Sequence, residues 1–169
     1  MVPVHLDSRN ASLSVNPYAA EQVFETEVDI SDPELHRVDD KPDHVTYKIS
    51  SASSYPSWEG KTFSVKRRYN DFVWLKAQLD FEILTTKSPI PVRPLPALPN
   101  TESFFGWFTG ERFSPEFIQR RQLELTGWIN VAANHDICRN SKSLLGFLQL
   151  ESLVALREQS AAGGLLMID

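Results

Sequence analysis

Three early segments of the chain, residues 23–30, 45–49 and 61–68, alternate between apolar and polar positions. A two-residue period is typical of strands that bury one face. The positions on the inward face are, in chain order, Phe24, Thr26, Val28, Ile30, Val45, Tyr47, Ile49, Phe63 and Val65. Turn residues at 31–44 and a loop at 50–60 separate the segments, which together predict a three-stranded antiparallel meander.

After the third segment, the apolar pattern changes from the period of a strand to that of a helix. An apolar stripe predicts a first helix, with Asn70 or Asp71 as its cap. The stripe consists of Phe72, Leu75, Leu79 and Ile83. The chain therefore passes from strand to helix within a few residues of position 69.

Two further helices are predicted in the second half of the chain. The segment 114–133 begins with Ser114, a good N-cap, and Pro115, which suits the first helical position. The segment 141–158 has Ser141 as its cap. The core positions predicted for this third helix are Leu144, Leu145, Leu148 and Leu150.

Five prolines lie between the first two helices, within residues 88–99. Proline fixes φ and lacks a backbone N–H, so this segment is predicted to be extended and partly polyproline II. Strands followed by helices indicate an α+β fold. We predict a three-stranded antiparallel sheet packed on a helical subdomain with a proline-rich crossover, preceded by a flexible tail at residues 1–20.

Composition argues against several classes of function. The chain has 169 residues, a net charge of −5 and a pI of about 5.4, whereas nucleic-acid binding usually needs a basic face. Its one cysteine, Cys138, excludes an internal disulfide and a cysteine-based zinc site. No apolar run approaches the ~20 residues that span a bilayer, and residues 1–16 lack the apolar stretch of a secretory signal. We expect a cytoplasmic protein that binds no nucleic acid.

No group of residues in the sequence supports catalysis. The four histidines are scattered, and none has the spacing of a metal site. The motifs of a nucleophile elbow, a phosphate-binding loop and a dinucleotide site are absent from the sequence. We therefore expect a protein that is not an enzyme, with no catalytic residues, metal or cofactor.

A basic cluster, Lys66–Arg68, directly precedes Tyr69 where the third strand meets the first helix. On a strand, Lys66 and Arg68 share one face and Arg67 lies on the other. An arginine beside a tyrosine can bind a phosphate while the ring covers a sugar-like or inositol face. The alternative is a solvated strand end.

Arg121 lies inside the apolar stripe of the second helix. The stripe consists of Phe117, Arg121, Leu125, Trp128 and Ala132. A buried guanidinium needs an acceptor. Either Arg121 pairs with a carboxylate such as Asp71, or it lines a pocket for an anionic or hydroxylated ligand.

Four aromatic residues cluster around Gly106 in a segment without a helical or strand period. They are Phe104, Phe105, Trp107 and Phe108. An exposed aromatic cluster in a loop is typical of a contact site for a protein or a membrane, and Trp and Phe suit the bilayer interface. The alternative is that the rings fold back as a small core.

Four features in this order resemble the PX (phox homology) domain of the short sorting nexin type. They are RRYNDFVWL at 67–75, the proline-rich segment, the aromatic loop and RRQLELTGWI at 120–129. The resemblance places the PX domain at residues 21–150 and leaves 151–169 as a C-terminal helical extension or tail. It implies a peripheral protein that binds phosphatidylinositol 3-phosphate on endosomal membranes.

The resemblance also implies a role for each candidate site residue. Arg68 would hold the 3-phosphate, Tyr69 would form the pocket wall under the inositol ring, and Arg121 would bond the ring hydroxyls. The aromatic loop would insert into the membrane.

One position departs from the family pattern. PX domains usually place a lysine just after the proline motif, where it contacts the 1-phosphate. Here Leu98 or Thr101 occupies that position, and Arg93 is the candidate substitute. Two functions therefore stay open. One is a phosphoinositide reader with retromer-like cargo-sorting partners, and the other is a PX-fold protein-interaction module with a degenerate lipid pocket.

Overall fold

The structure, a computed structural model, describes residues 23–99 and 110–165. Its antiparallel sheet has the order β1 (Thr26–Val38), β2 (Lys41–Ser53), β3 (Thr62–Arg68). The α-helices of these residues are α1 (Tyr69–Thr85), α2 (Pro115–Ala133), α3 (Lys142–Gln149) and α4 (Val154–Leu165). Short 3-10 turns occupy Pro56–Trp58, Glu111–Phe113 and Cys138–Asn140. The predicted α+β class is confirmed.

The hairpin of β1 and β2 is much longer than predicted. The interpretation of 31–44 as turn residues is wrong, because both strands continue through that range and only Asp39 and Asp40 form the turn. Their φ angles, 50° and 60°, suit a two-residue type I′ turn. The ladder is irregular at Asp32–Pro33, where proline cannot donate a hydrogen bond. The hairpin therefore extends past β3, and β2 also takes in the first residues of the predicted loop at 50–60.

One hydrophobic core joins the sheet to the helices. The inward strand positions Val28, Ile30, Tyr47, Ile49 and Val65 are buried as predicted. At the centre, the Phe72 ring packs edge-on against Phe147 at 4.9 Å and against Trp128 at 6.5 Å between ring centroids. Phe72 thus connects α1 to both α2 and α3 through a single side chain.

Side-chain amides of α2 and of Asn134, the residue that caps its C-terminal end, fix that helix against the sheet. Gln122, Asn130 and Asn134 hydrogen-bond to backbone groups of β1, the strand at the edge of the sheet. An edge strand otherwise exposes unpaired N–H and C=O groups. These contacts set the rotation of α2 and hence the direction of its neighbouring residue Arg121.

The predicted third helix is two helices. Ser141 caps α3 as expected, because its Oγ accepts hydrogen bonds from the backbone of Ser143 and Leu144. The chain leaves the helix at Leu150, which is extended and 48% exposed, so its assignment to the core is wrong. Phe147, which was not among the predicted core positions, is fully buried instead.

The proline-rich segment crosses the helices without forming helix or strand between Thr86 and Pro99. Its backbone carbonyls accept hydrogen bonds from side chains of the helical subdomain. Trp128 Nε1 donates to Pro96 at 3.1 Å, and the Tyr69 hydroxyl donates to Pro99 at 2.9 Å. None of the helices in the described ranges is both long and apolar enough to cross a bilayer.

Candidate functional site

A pocket lies where the end of the β1–β2 hairpin meets the start of α1, the 3-10 turn Glu111–Phe113 and α2. We call it the junction pocket. Its lining residues are Asp43, His44, Val45, Tyr47, Arg68, Tyr69, Asn70, Arg112, Phe113 and Arg121. The structure therefore brings together Arg68, Tyr69 and Arg121, three of the four headgroup-binding candidates from the sequence.

The three consecutive cations of the basic cluster have different environments. Lys66 pairs with Glu34 of β1 at 2.6 Å, and this contact lowers the pKa of the Glu34 carboxyl. Arg67 is buried, with 2% of its surface exposed, and burial lowers its pKa to about 10, so it stays charged at neutral pH. Arg68 is exposed and lines the junction pocket. Only Arg68 of the three is a pocket residue.

Arg67 holds β3 to the end of α3. Its guanidinium donates to the backbone carbonyls of Gly146, Phe147, Leu150 and Glu151, and to that of Lys66. The last carbonyls of a helix have no partner within the helix. Arg67 supplies a donor to the Phe147 carbonyl and to the first carbonyls beyond the helix, and it shares the Gly146 carbonyl with the Leu150 N–H.

Asp71 of α1 contacts both the pocket residue Arg68 and the helix α4. Its Oδ2 accepts a hydrogen bond from the backbone N–H of Arg68 at 2.8 Å, and its Oδ1 pairs with Arg157 of α4. The predicted cap, Asn70 or Asp71, is wrong, because Arg68 occupies the cap position and Asp71 acts from the third helical position. Asn70 lines the pocket instead.

Arg121 is 7% exposed and lies between two aromatic rings. Its guanidinium carbon is 4.1 Å from the Tyr69 ring centroid and 4.4 Å from that of Phe117. Cation–π contacts of this kind stabilise a partly desolvated guanidinium and hold its orientation. Asp71, the carboxylate named as a possible partner of Arg121, pairs with Arg157 instead, and Arg121 lines the junction pocket.

Asp43, His44 and Arg112 are pocket residues that the sequence analysis did not identify. Arg112 lies on the 3-10 turn, and its guanidinium carbon is 4.6 Å from the Phe113 ring centroid. Asp43 and His44 come from the hairpin, with 2.6 Å between Asp43 Oδ2 and His44 Nδ1. The misassigned turn at 31–44 concealed the hairpin residues, and Arg112 carries no local signal beyond its place just before the cap Ser114.

Burial also affects a hydroxyl in the pocket wall. It raises the pKa of Tyr47, and the nearby charge of Arg121 opposes that rise. The Tyr47 hydroxyl therefore stays protonated at neutral pH. The described residues of the lining carry three guanidinium groups against one carboxylate, which favours an anionic ligand.

The remaining candidates lie elsewhere. Arg93 lines a different groove, with Val131 and Arg139, and its carbonyl accepts a hydrogen bond from His135 Nε2 at 2.7 Å. Leu98 is half-buried and packs against the core. The aromatic residues Phe104, Phe105, Trp107 and Phe108, the tail at 1–20 and Thr101 lie outside the described residues.

The side chains of His135 and Cys138 have structural roles. His135 Nδ1 accepts from the backbone N–H groups of Ile137 and Cys138, at 3.2 and 3.4 Å. Cys138 is fully buried, and burial raises the pKa of its thiol to about 12, so the nucleophilic thiolate is not formed at neutral pH. Within residues 23–99 and 110–165, no cluster of three or more side chains suits a metal ion.

Comparison with known proteins agrees with this geometry. The PX domain family matches residues 56–151. Sorting nexin-3 of Homo sapiens is 33% identical over 131 residues, which cover 74% of this chain and 74% of that protein. Sorting nexin-4 of Cryptococcus neoformans is 28% identical over 123 residues, and this match covers 73% of the chain but only 23% of that longer protein.

A solved structure supports the fold. The X-ray structure of a designed CISK-PX domain is similar with a TM-score of 0.53 and 24% sequence identity, covering 73% of this chain and 98% of that one. At this identity, the likeness concerns the fold alone. The predicted PX fold is confirmed.

Proposed function

The chain belongs to the PX domain family, and we propose that it recruits sorting machinery to endosomal membranes by binding phosphatidylinositol 3-phosphate. The family and the sorting nexin relatives support phosphoinositide binding and membrane recruitment as the general function. The proposal of phosphatidylinositol 3-phosphate as the ligand rests on one observation. Arg68, Tyr69 and Arg121 line the same pocket, and the guanidinium of Arg121 stacks on the Tyr69 ring.

Each of the three residues suits a different part of the headgroup. Arg68 is exposed, so its guanidinium is available to bind the 3-phosphate with two parallel hydrogen bonds. Tyr69 offers a ring face as the wall beneath the inositol. Arg121 is held by aromatic stacking at the buried end, where ring hydroxyls are acceptors that bring no further charge into the interior.

Membrane binding would combine two signals. The pocket selects the headgroup, and the aromatic residues Phe104, Phe105, Trp107 and Phe108 insert into the bilayer. A single weak anchor rarely holds a protein on a membrane. The protein would thus be cytoplasmic and peripheral on endosomes, with retromer-like cargo-sorting proteins as partners.

Liposome pelleting tests the pocket. Vesicles of phosphatidylcholine with and without phosphatidylinositol 3-phosphate are compared for wild type, Arg68→Gln and Arg121→Gln. We expect each variant to lose about tenfold or more in affinity, as for a lost charge-assisted hydrogen bond. Arg120→Gln is the matched control, because Arg120 precedes Arg121 but is exposed and outside the pocket lining. If wild type binds equally to vesicles with and without phosphatidylinositol 3-phosphate, the proposal is refuted.

The aromatic loop needs a separate experiment. Replacing Phe105 and Trp107 by Ser should weaken vesicle binding while leaving titration with soluble inositol 1,3-bisphosphate unchanged. A parallel loss in both measurements would instead show that these rings support the fold.

A protein-interaction module with a degenerate pocket is the second candidate. The carboxylate of Asp43 in the lining and the apolar Leu98 after the prolines favour it. Soluble headgroup titration discriminates the two functions. Absence of binding up to millimolar concentrations, together with a tight protein partner, would support the second function and exclude the first.

A further inference from the structure

Arg112 is a third guanidinium in the junction pocket, and no role is assigned to it so far. It lies on the 3-10 turn Glu111–Phe113, which contacts α2 and β2. Its guanidinium stacks over the Phe113 ring at 4.6 Å. The side chain is therefore held at the pocket and is not a freely moving surface cation.

The hydrogen bonding of Arg112 is incomplete among the residues that the structure describes. Its Nε is buried and makes no hydrogen bond among the described residues, and it forms no ion pair with a carboxylate in those ranges. Asp43, the acid of the same pocket, instead lies 2.6 Å from His44. No carboxylate of the described residues therefore neutralises the Arg112 guanidinium, so its charge is available to an anion that enters the pocket.

The surrounding charges indicate what that acceptor is. Arg68 and Arg121 line the same pocket, and three guanidinium groups against one carboxylate attract an anion. The guanidinium fork matches the oxygens of a phosphate group. Since the proposed function already assigns Arg68 to the ring phosphate, Arg112 is available for a second phosphate of the same ligand.

Chain position indicates which phosphate this is. Arg112 follows Phe108, the last residue of the proposed membrane-inserting cluster, by four residues, so their backbones are separated by at most about 14 Å. The phosphate of the headgroup nearest the bilayer is the phosphodiester that joins the inositol ring to glycerol. We propose that Arg112 binds this phosphodiester and supplies the cationic contact that neither Leu98 nor Arg93 provides. The inference rests on the proposed function.

A cycle of variants and ligands tests this assignment. Wild type, Arg112→Gln and Arg112→Lys are titrated with two soluble ligands. Inositol 1,3-bisphosphate carries both phosphates, and inositol 3-phosphate lacks the phosphate at position 1. We expect wild type to bind the bisphosphate about tenfold or more tightly than the monophosphate. Arg112→Gln should bind both ligands alike, and Arg112→Lys should recover part of the difference.

Two controls separate this inference from the proposed function. Arg120→Gln makes the same charge change outside the pocket and should behave as wild type. If Arg68→Gln abolishes binding while Arg112→Gln keeps the wild-type preference for the bisphosphate, the assignment of Arg112 is wrong and the proposed function stands. If wild type binds neither soluble ligand nor vesicles containing phosphatidylinositol 3-phosphate, the proposed function itself fails.

Folding defects are excluded by a second measurement. Arg112 is half-exposed on a short turn, so the thermal unfolding midpoint of Arg112→Gln should match that of wild type. If Arg112→Gln loses equal affinity for both soluble ligands at an unchanged unfolding midpoint, Arg112 does not contact the phosphate at position 1. That result would overturn the proposal.

Discussion

Asn130 of α2 forms two hydrogen bonds with the backbone of Val28 in β1. Its Oδ1 accepts from the Val28 N–H at 2.9 Å, and its Nδ2 donates to the Val28 carbonyl at 2.7 Å. Asn134 repeats this pattern at Thr26, one pleat along the strand, with distances of 2.9 and 2.8 Å. The side chains of α2 thus replace the missing neighbour strand at the edge of the sheet.

Replacing Asn130 by Ala should lower the free energy of unfolding by about 2–4 kcal/mol. The change leaves a donor and an acceptor of the buried residue Val28 without partners, and each such group costs about 1–3 kcal/mol. Urea denaturation measures the loss. Asn134→Ala is the matched control and should cost less, because Asn134 is exposed and water can replace its amide. Equal losses would show that exposure does not matter here.

Replacing Arg67 by Met should destabilise the protein by about 3 kcal/mol or more. Methionine keeps much of the apolar volume but removes the donor to the buried Phe147 carbonyl at the end of α3 and the donors to Leu150 and Glu151, which follow the helix. Lys66→Met removes a neighbouring charge whose ion pair with Glu34 is exposed, and it should change stability little. Chemical denaturation of both variants measures this contrast, and similar stability for the two would contradict the structural role of Arg67.

Variants of Asp71 and Arg157 should differ in their effects on stability and on headgroup binding. Arg157→Gln removes the partly exposed pair that holds α4 and should cost about 1 kcal/mol, while Asp71 Oδ2 still accepts from Arg68. Asp71→Ala removes both contacts and should also weaken headgroup binding, because the backbone at Arg68 loses its acceptor. Thermal unfolding and titration with inositol 1,3-bisphosphate report the two effects.

Glu158→Gln, an exposed charge change beside Arg157, should leave stability and binding unaltered. A full loss of binding in Arg157→Gln would instead show that α4 controls the pocket directly.

Neutralising Asp43 should strengthen anion binding. Asp43→Asn removes the one carboxylate that the described residues contribute to the pocket lining, so affinity for inositol 1,3-bisphosphate should rise about two- to fivefold at low ionic strength. The gain should shrink with added salt because exposed charges are screened. Asp40→Asn is the control, since Asp40 lies in the hairpin turn outside the lining. A comparable gain in Asp40→Asn would indicate a general charge effect.

Local patterns in the sequence predicted most of the elements. The two-residue period identified the buried strand positions, and Ser114 and Ser141 marked the starts of α2 and α3. The buried position of Arg121 also followed from its place in an apolar helical stripe. These features depend on residues within one or two turns, or on alternate residues of one strand, so the chain by itself contains the information.

The tertiary structure alone decided which distant residues meet. Strand alternation places Arg67 on the face opposite Lys66 and Arg68, but it does not identify the partners of Arg67, which lie about eighty residues later at the end of α3. Asp43, Arg112 and Arg121 reach one pocket only because the amides of α2 fix the helix on β1 and the hairpin extends past β3. Neither the hydrogen bonds of Arg67 nor the junction pocket could be predicted from an apolar period or a capping residue. Both arise from the packing of elements that are distant in the sequence.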